Sequence, residues 1–244
     1  MKALVVGASA GVGRALTEVL AKRGDDLLIV ASNKDDLEAQ AAHLRLLYGV
    51  HVRTIAADAS RPEECLQSIK AVAKVFGHID EMFFPIGSSV SDDCGTLPIE
   101  ETQQLFNSNL IIVVGVIQQF LPSLTASGHG DIVGFGSVAA ARGRGTNIVY
   151  SSAKRGLESY FESLRHLTSR TGVNVQFYRL GYVGTQQSFG HRLMFPAVTP
   201  LSVAKVVVQN LGINRGLIYY PRYWSIIVRI VSALPWFVFK RLDF

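Results

Sequence analysis

Cysteine is scarce in this sequence: Cys65 and Cys94 stand alone, with no CxxC pair. A disulfide framework and a thiolate zinc centre are therefore excluded as organising elements, and a reducing, cytoplasmic compartment is the simpler setting. Internal repeats, low-complexity tracts and long Pro/Ser/Gly linkers are absent too, which argues against solenoids and disorder. With 244 residues, 48% of them hydrophobic, the chain can bury one full core. The opening "MKALVVGASA" mimics a signal peptide, with a lysine and an Ala8-Ser9-Ala10 triplet. Its continuous apolar run, residues 3–6, is too short for that role and reads as a buried strand. Acid is missing from the C-terminal third: between Glu162 and Asp243 there are ten Lys or Arg residues and no Asp or Glu. That asymmetry implies an anionic partner, or else a solvated basic face. Nucleic acid is disfavoured, because the bases are spread singly among apolar runs and no binding motif accompanies them.

What is present is an alternation. Short apolar runs of the β type ("ALVV", "LLIV", "VRTIAA", "EMFF", "DIVGF", "VNVQFY", "LIYY") are separated by amphipathic stretches at 12–23, 35–47, 63–75, 99–125, 148–168 and 200–210. Seven strands alternating with helices predict a doubly wound parallel sheet covered on both faces, with ligands outside the carboxyl ends of the strands at a topological switch point.

The first run leads into "GASAGVG". Glycines at 7, 11 and 13 between the first strand and first helix let the backbone turn tightly and approach a pyrophosphate, which the helix N-terminus attracts. At the end of the second run stand Ser32, Asn33 and Lys34 where an NAD-binding chain would carry an acid; donors and a cation there point to NADP(H) rather than NAD(H). Asp58 follows the third run and could accept from an adenine amino group or cap the next helix. Further on, "YSSAK" places Tyr150 and Lys154 at i and i+4 of a helix, on one face. An ammonium close to a phenol favours the phenolate and would lower the tyrosine pKa.

With these pieces placed, the chain resembles the short-chain dehydrogenase/reductase family over nearly its whole length. Gly7-x3-Gly11-x-Gly13 is similar to the family's cofactor turn, Asn109 to its active-site asparagine with Pro122 behind it, and Ser137 to its catalytic serine, thirteen residues before Tyr150. Lys154 completes the tetrad. The resemblance implies a single-domain Rossmann-like fold with cofactor contacts at Gly7, Ser9, Ala10, Gly11, Val12, Gly13, Ser32, Asn33, Lys34, Asp58, Ala59, Gly87, Tyr150, Lys154, Gly181, Val183 and Thr185. It also implies hydride transfer between a nicotinamide and a ketone or alcohol. In that scheme Tyr150 is the acid for reduction, Lys154 tunes it and binds ribose, Ser137 steadies the carbonyl oxygen and Asn109 holds Lys154 through a water. A homo-oligomer, dimer or tetramer, is implied as well. The chain departs from the family pattern at Val6-Gly7, at Phe84-Pro85-Ile86-Gly87 and at Leu180-Gly181, so polar pinning between strand ends is expected to be reduced.

Two features concern the substrate. The loop "AARGRGTNIV" offers Arg142 and Arg144 near the substrate mouth as phosphate grips. Residues 223–244 are expected to form a tail separate from a catalytic domain at 1–222. Arg222, Ser225, Arg229 and Ser232 make a narrow polar stripe, and Trp236, Phe237 and Phe239 lie against Lys240 and Arg241. The run is short for a membrane span and carries Arg229 in its middle. Three placements remain open for it: a membrane interface through residues 223–241, a subunit contact, or an intramolecular flap. The tail and the basic last third loosely resemble the decaprenylphosphoryl keto-sugar reductases, which implies a lipid-linked anionic keto sugar. A 3-oxoacyl thioester reductase and a non-catalytic NADP(H)-binding module are the alternatives.

Overall fold

The computed structural model describes residues 1–185 and 194–242; the last two residues of the expected tail segment lie outside them. β-branched and apolar runs form seven strands: β1 Lys2–Val6, β2 Asp26–Ala31, β3 Val52–Ala56, β4 Glu81–Phe84, β5 Gly130–Ser137, β6 Val173–Leu180 and β7 Gly216–Tyr220. They make one parallel sheet in the order β3-β2-β1-β4-β5-β6-β7, a Rossmann-like arrangement in which the strand order reverses between β1 and β4. Period-2 side chains divide the core. Leu4, Val6, Met82, Phe84 and Ile132 face α3 (Pro62–Phe76), α5 (Ile112–Ser127) and α6 (Ile148–Leu167). Ala3, Val5, Phe83 and Val133 face α1 (Gly11–Arg23), α2 (Lys34–Tyr48) and α7 (Pro200–Gln209).

The helix expected over 99–125 is continuous but not uniform. Between α4 (Ile99–Phe106) and α5 lies one π turn, Asn107–Ile111. Widening the turn leaves the Leu105 carbonyl accepting from the Asn109 side chain, and single π turns of this kind concentrate at functional sites. Residues 99–127 are together long and apolar enough to cross a membrane. Ile112, Val113, Val116 and Ile117 of this stretch are nonetheless fully buried in the core.

After β7 the chain forms α8 (Trp224–Ala233), turns at Pro235 and ends in α9 (Trp236–Phe239). Trp224 and Val228 of α8 are buried, so one face of the tail packs on the body while Ile226 and Ile230 remain outside.

Core packing is tight where glycine lies under an aromatic ring. A Cβ on Gly134 would stand 2.5 Å from the Phe161 ring, and that ring packs on Phe177 at 5.2 Å between centroids. We expect Phe161→Ala to lose about 3–5 kcal/mol, read as a lower urea midpoint with an unchanged slope. A loss below about 1 kcal/mol would contradict this packing.

Candidate active site

Every candidate segment lies at the carboxyl end of the sheet. Beyond β1, Gly7 has φ +96°, and a Cβ there would come within 2.7 Å of the Ile86 backbone. The turns after β1 and β4 therefore abut at the switch point, and only glycine permits it. Gly13 is equally constrained, since its Cβ would lie 1.8 Å from the Gly7 carbonyl oxygen. The Cβ of Gly11 would meet Thr185 at 2.9 Å. The N-terminus of α1 has no acid in its first turn and no side-chain cap, and Arg14 is exposed there. This glycine-floored turn, whose backbone N–H groups are not taken by a side chain, fits a dinucleotide pyrophosphate. Ser9, Ala10 and Val12 belong to the same turn.

At the end of β2, Ser32, Asn33 and Lys34 are exposed. Asn33 caps α2, its side-chain oxygen accepting from the Asp36 N–H at 3.1 Å, so only its amide NH2 is left for a ligand. Asp58, also exposed, accepts from Ser60 N–H at 2.9 Å in a local turn; it does not cap α3, whose N-cap position is Arg61 with no side-chain capping bond. Ala59 follows Asp58.

The four tetrad candidates converge. The π turn buries Asn109, whose Nδ2 donates to the Ser88 carbonyl at 2.8 Å and to the Leu105 carbonyl at 2.9 Å. Its Oδ1 is buried without a partner. Lys154, 4% exposed, donates from Nζ to the Ile86 carbonyl at 2.9 Å and the Phe135 carbonyl at 3.3 Å. Gly87 separates the two: a Cβ on it would stand 2.9 Å from both Asn109 Oδ1 and Lys154 Nζ. The departure at Phe84-Pro85-Ile86-Gly87 thus does not cost the strand end its pinning, because backbone carbonyls of this segment take the polar contacts. The Tyr150 phenol lies within interaction reach of the Ser137 hydroxyl, and Ser137 Oγ accepts from Ala139 N–H at 3.1 Å.

Burial dominates the electrostatics. It brings the Lys154 ammonium down to about 8, and it raises the Tyr150 phenol above its ordinary value, opposed by the Ser137 hydroxyl. The expectation that Lys154 alone would pull the phenol down is corrected: desolvation disfavours the phenolate more than its surroundings favour it.

The substrate-side arginines part company. Arg142 is engaged by the tail: its Nη1 donates to the Val231 carbonyl at 2.5 Å and the Leu234 carbonyl at 2.7 Å, and its guanidinium lies 3.8 Å from the Phe239 ring centre. It caps the C-terminus of α8, satisfying carbonyls that a helix end leaves open. Arg144 borders a cavity of about 390 Å³ with Arg155, Ser151 and Ser152. Gly181 also has a role that the sequence did not reveal. A Cβ there would stand 1.9 Å from Trp224 Nε1, so glycine makes room for the tail indole, which contacts Tyr182 and Phe195 edge-on. Val183 bridges to Val198, and Thr185 lies over Gly11. Of the three placements for the tail, the intramolecular one describes its inner face. Asp93, buried in the segment after β4, is a residue that sequence reasoning missed.

A family model described as short chain dehydrogenase matches residues 1–191. An uncharacterized oxidoreductase of Staphylococcus epidermidis is 29% identical, across 86% of this chain and 90% of that protein. The 3-oxoacyl-acyl-carrier-protein reductase of Escherichia coli is 26% identical across 76% and 75%. Among solved structures, a short-chain dehydrogenase from Sphingobium yanoikuyae in complex with NADPH superposes with a TM-score of 0.84 at 22% identity, covering 99% of this chain and 96% of that one.

The buried lysine generates a pH signature. Below about pH 8 both folded and unfolded chains hold the Lys154 proton; between about 8 and 10.5 only the unfolded chain does. Stability should therefore rise with pH across that window. Relative to Lys154→Met, the wild type should gain on the order of 3 kcal/mol between these limits. Parallel pH dependences of the two proteins in urea unfolding would contradict the burial.

Proposed function

Since the chain belongs to the short chain dehydrogenase family and is an NAD(P)-dependent oxidoreductase, we propose that it reduces a ketone using NADP(H), with Tyr150 as proton donor. The observation that carries this is the buried Lys154 that shares the Gly87 gap with the unpartnered Asn109 oxygen, one helical turn from Tyr150 with its phenol in reach of Ser137. A nicotinamide nucleotide held here would supply the hydride for the carbonyl carbon. Ser137 and Tyr150 hold the carbonyl oxygen between two hydroxyls, and the phenol passes its proton to that oxygen as negative charge develops. The raised phenol pKa keeps the proton in place before reaction. Lys154 stabilises the phenolate left behind and binds the nicotinamide ribose; Asn109 Oδ1 steadies the ammonium through a bridging water. Gly7, Gly11, Gly13 and the α1 N-terminus hold the pyrophosphate. Ser32, the Asn33 amide, Lys34 and Arg14 favour a 2′-phosphate over a free hydroxyl, Asp58 and Ala59 border the adenine, and Val183 and Thr185 border the carboxamide.

For the substrate we favour an anionic, lipophilic carbonyl such as a keto sugar on a polyprenyl phosphate or nucleotide, with Arg144 and Arg155 as anion contacts. The outer tail supports this reading. Ile226, Ile230, Trp236 and Phe237 are exposed, flanked by exposed Arg222, Arg229, Lys240 and Arg241, a composition suited to an anionic membrane interface. In this reading residues 1–222 are the catalytic domain of a homo-oligomer on the cytoplasmic membrane face, and residues 223–244 carry the membrane contact. The E. coli relative's name supports the second reading, reduction of a 3-oxoacyl thioester on an acidic carrier protein.

Tyr150→Phe should leave the NADPH dissociation constant within about twofold and cut ketone reduction by at least about 10²-fold. Activity within tenfold of wild type would remove Tyr150 as the acid. Nicotinamide fluorescence should show NADPH binding about tenfold or more tighter than NADH; equal affinities would contradict the 2′-phosphate assignment. Replacing Trp236 and Phe237 together by Ala should lower affinity for phosphatidylglycerol vesicles by about tenfold or more, with reduction of a soluble ketone unchanged. A fall in oligomer mass with unchanged vesicle binding would assign the face to a subunit contact.

A further inference from the structure

The helix that carries Tyr150 starts without a cap of its own. Asn147, at its N-cap position, has φ +53° and makes no side-chain capping bond. Its first three N–H groups, those of Ile148, Val149 and Tyr150, would be orphans by helix geometry. All three are accepted by one residue from another segment. The Asp93 main-chain oxygen accepts from Ile148 N–H at 3.3 Å. Its Oδ1 accepts from Val149 N–H at 2.9 Å, and its Oδ2 from Tyr150 N–H at 2.9 Å. The fourth N–H, of Ser151, bonds to the Asn147 carbonyl within the helix.

Asp93 is only 2% exposed. A carboxylate this deep is tolerated where charge-assisted bonds and a helix dipole satisfy it, and here both oxygens are used. One of those bonds fixes the backbone nitrogen of the tyrosine itself. We propose that Asp93 is a positioning residue for Tyr150: it sets the axial position and rotation of the first turn of α6, and so the place of the phenol against Ser137. The inference rests on Tyr150 being the proton donor. It also ties the segment after β4, which receives the Lys154 and Asn109 contacts at Ile86 and Ser88, to the start of α6, so that the proton donor and its ammonium neighbour are indexed to one stretch of backbone.

The test compares Asp93→Asn, Asp93→Ala and Tyr150→Phe with the full-length wild type. Readouts are NADPH-dependent reduction of phenanthrenequinone, the NADPH dissociation constant, the melting temperature, and amide hydrogen exchange across residues 148–154. Small misplacements of a reacting group cost about 10²-fold, so Asp93→Ala should lower kcat on that scale with NADPH affinity unchanged. Amide exchange should rise in the first turn of α6 alone. Asp93→Asn keeps one acceptor but turns an NH2 toward the second N–H, so its kcat should fall between the wild type and Asp93→Ala. If Asp93→Ala does not fold, the kcat and exchange of Asp93→Asn decide. Wild-type kcat and exchange in the folded Asp93 variants would overturn the proposal, as would a kcat loss that only follows losses of nucleotide affinity and melting temperature. Activity in Tyr150→Phe would instead overturn the acid assignment on which it rests.

Discussion

The arrangement of the site follows from one costly fact, an ammonium buried at the carboxyl end of the sheet. Lys154 is almost wholly removed from water, and a charge so placed must find donors' complements nearby or lose its proton. The chain supplies carbonyls from two strand ends, Ile86 after β4 and Phe135 in β5, and keeps residue 87 as glycine so that nothing fills the gap beside Nζ. The π turn brings the Asn109 oxygen to the other side of the same gap. Tyr150, one helical turn earlier, takes its position from the helix that Lys154 anchors.

The second constraint is at the mouth. Arg142, in the loop between β5 and α6, holds the C-terminal end of α8. Trp224, at the other end of α8, sits on Gly181 beyond β6. One short helix therefore spans the loop after β5 and the chain just beyond β6. Its outer face is apolar and basic.

Much of the fold was legible in the sequence because its two periodicities are distinct. The β-type runs fall within the observed strands or reach at most one or two residues beyond them, and the amphipathic stretches became the helices. The glycine turn was legible from its place between the first strand and first helix, and Tyr150 and Lys154 from their i, i+4 spacing, whereas Asn109 and Ser137 were found through the resemblance to the family's motifs and separations. What stayed hidden depends on contacts across the chain. The π turn arises from bonds of Asn109 to Leu105 and Ser88. The partners of Arg142 lie 89 and 92 residues away, so a loop arginine looked like a substrate grip. Asp93 is one of two adjacent acids, Asp92 and Asp93, in a loop of small residues, and its partners are 56 and 57 positions on. The phenol's raised pKa was missed for a related reason, since i and i+4 spacing gives proximity to a charge but not the burial that outweighs it.

The most direct measurement of this account is the titration of Lys154 itself, by NMR of protein labelled with nitrogen-15 at lysine side chains, the resonance assigned by its loss in Lys154→Met. A midpoint near 8 is predicted, displaced well below the ordinary lysine value. A midpoint at the ordinary value near 10.5 would mean that the ammonium is solvated, and the cradle built around Gly87 would not be the organising feature of the site.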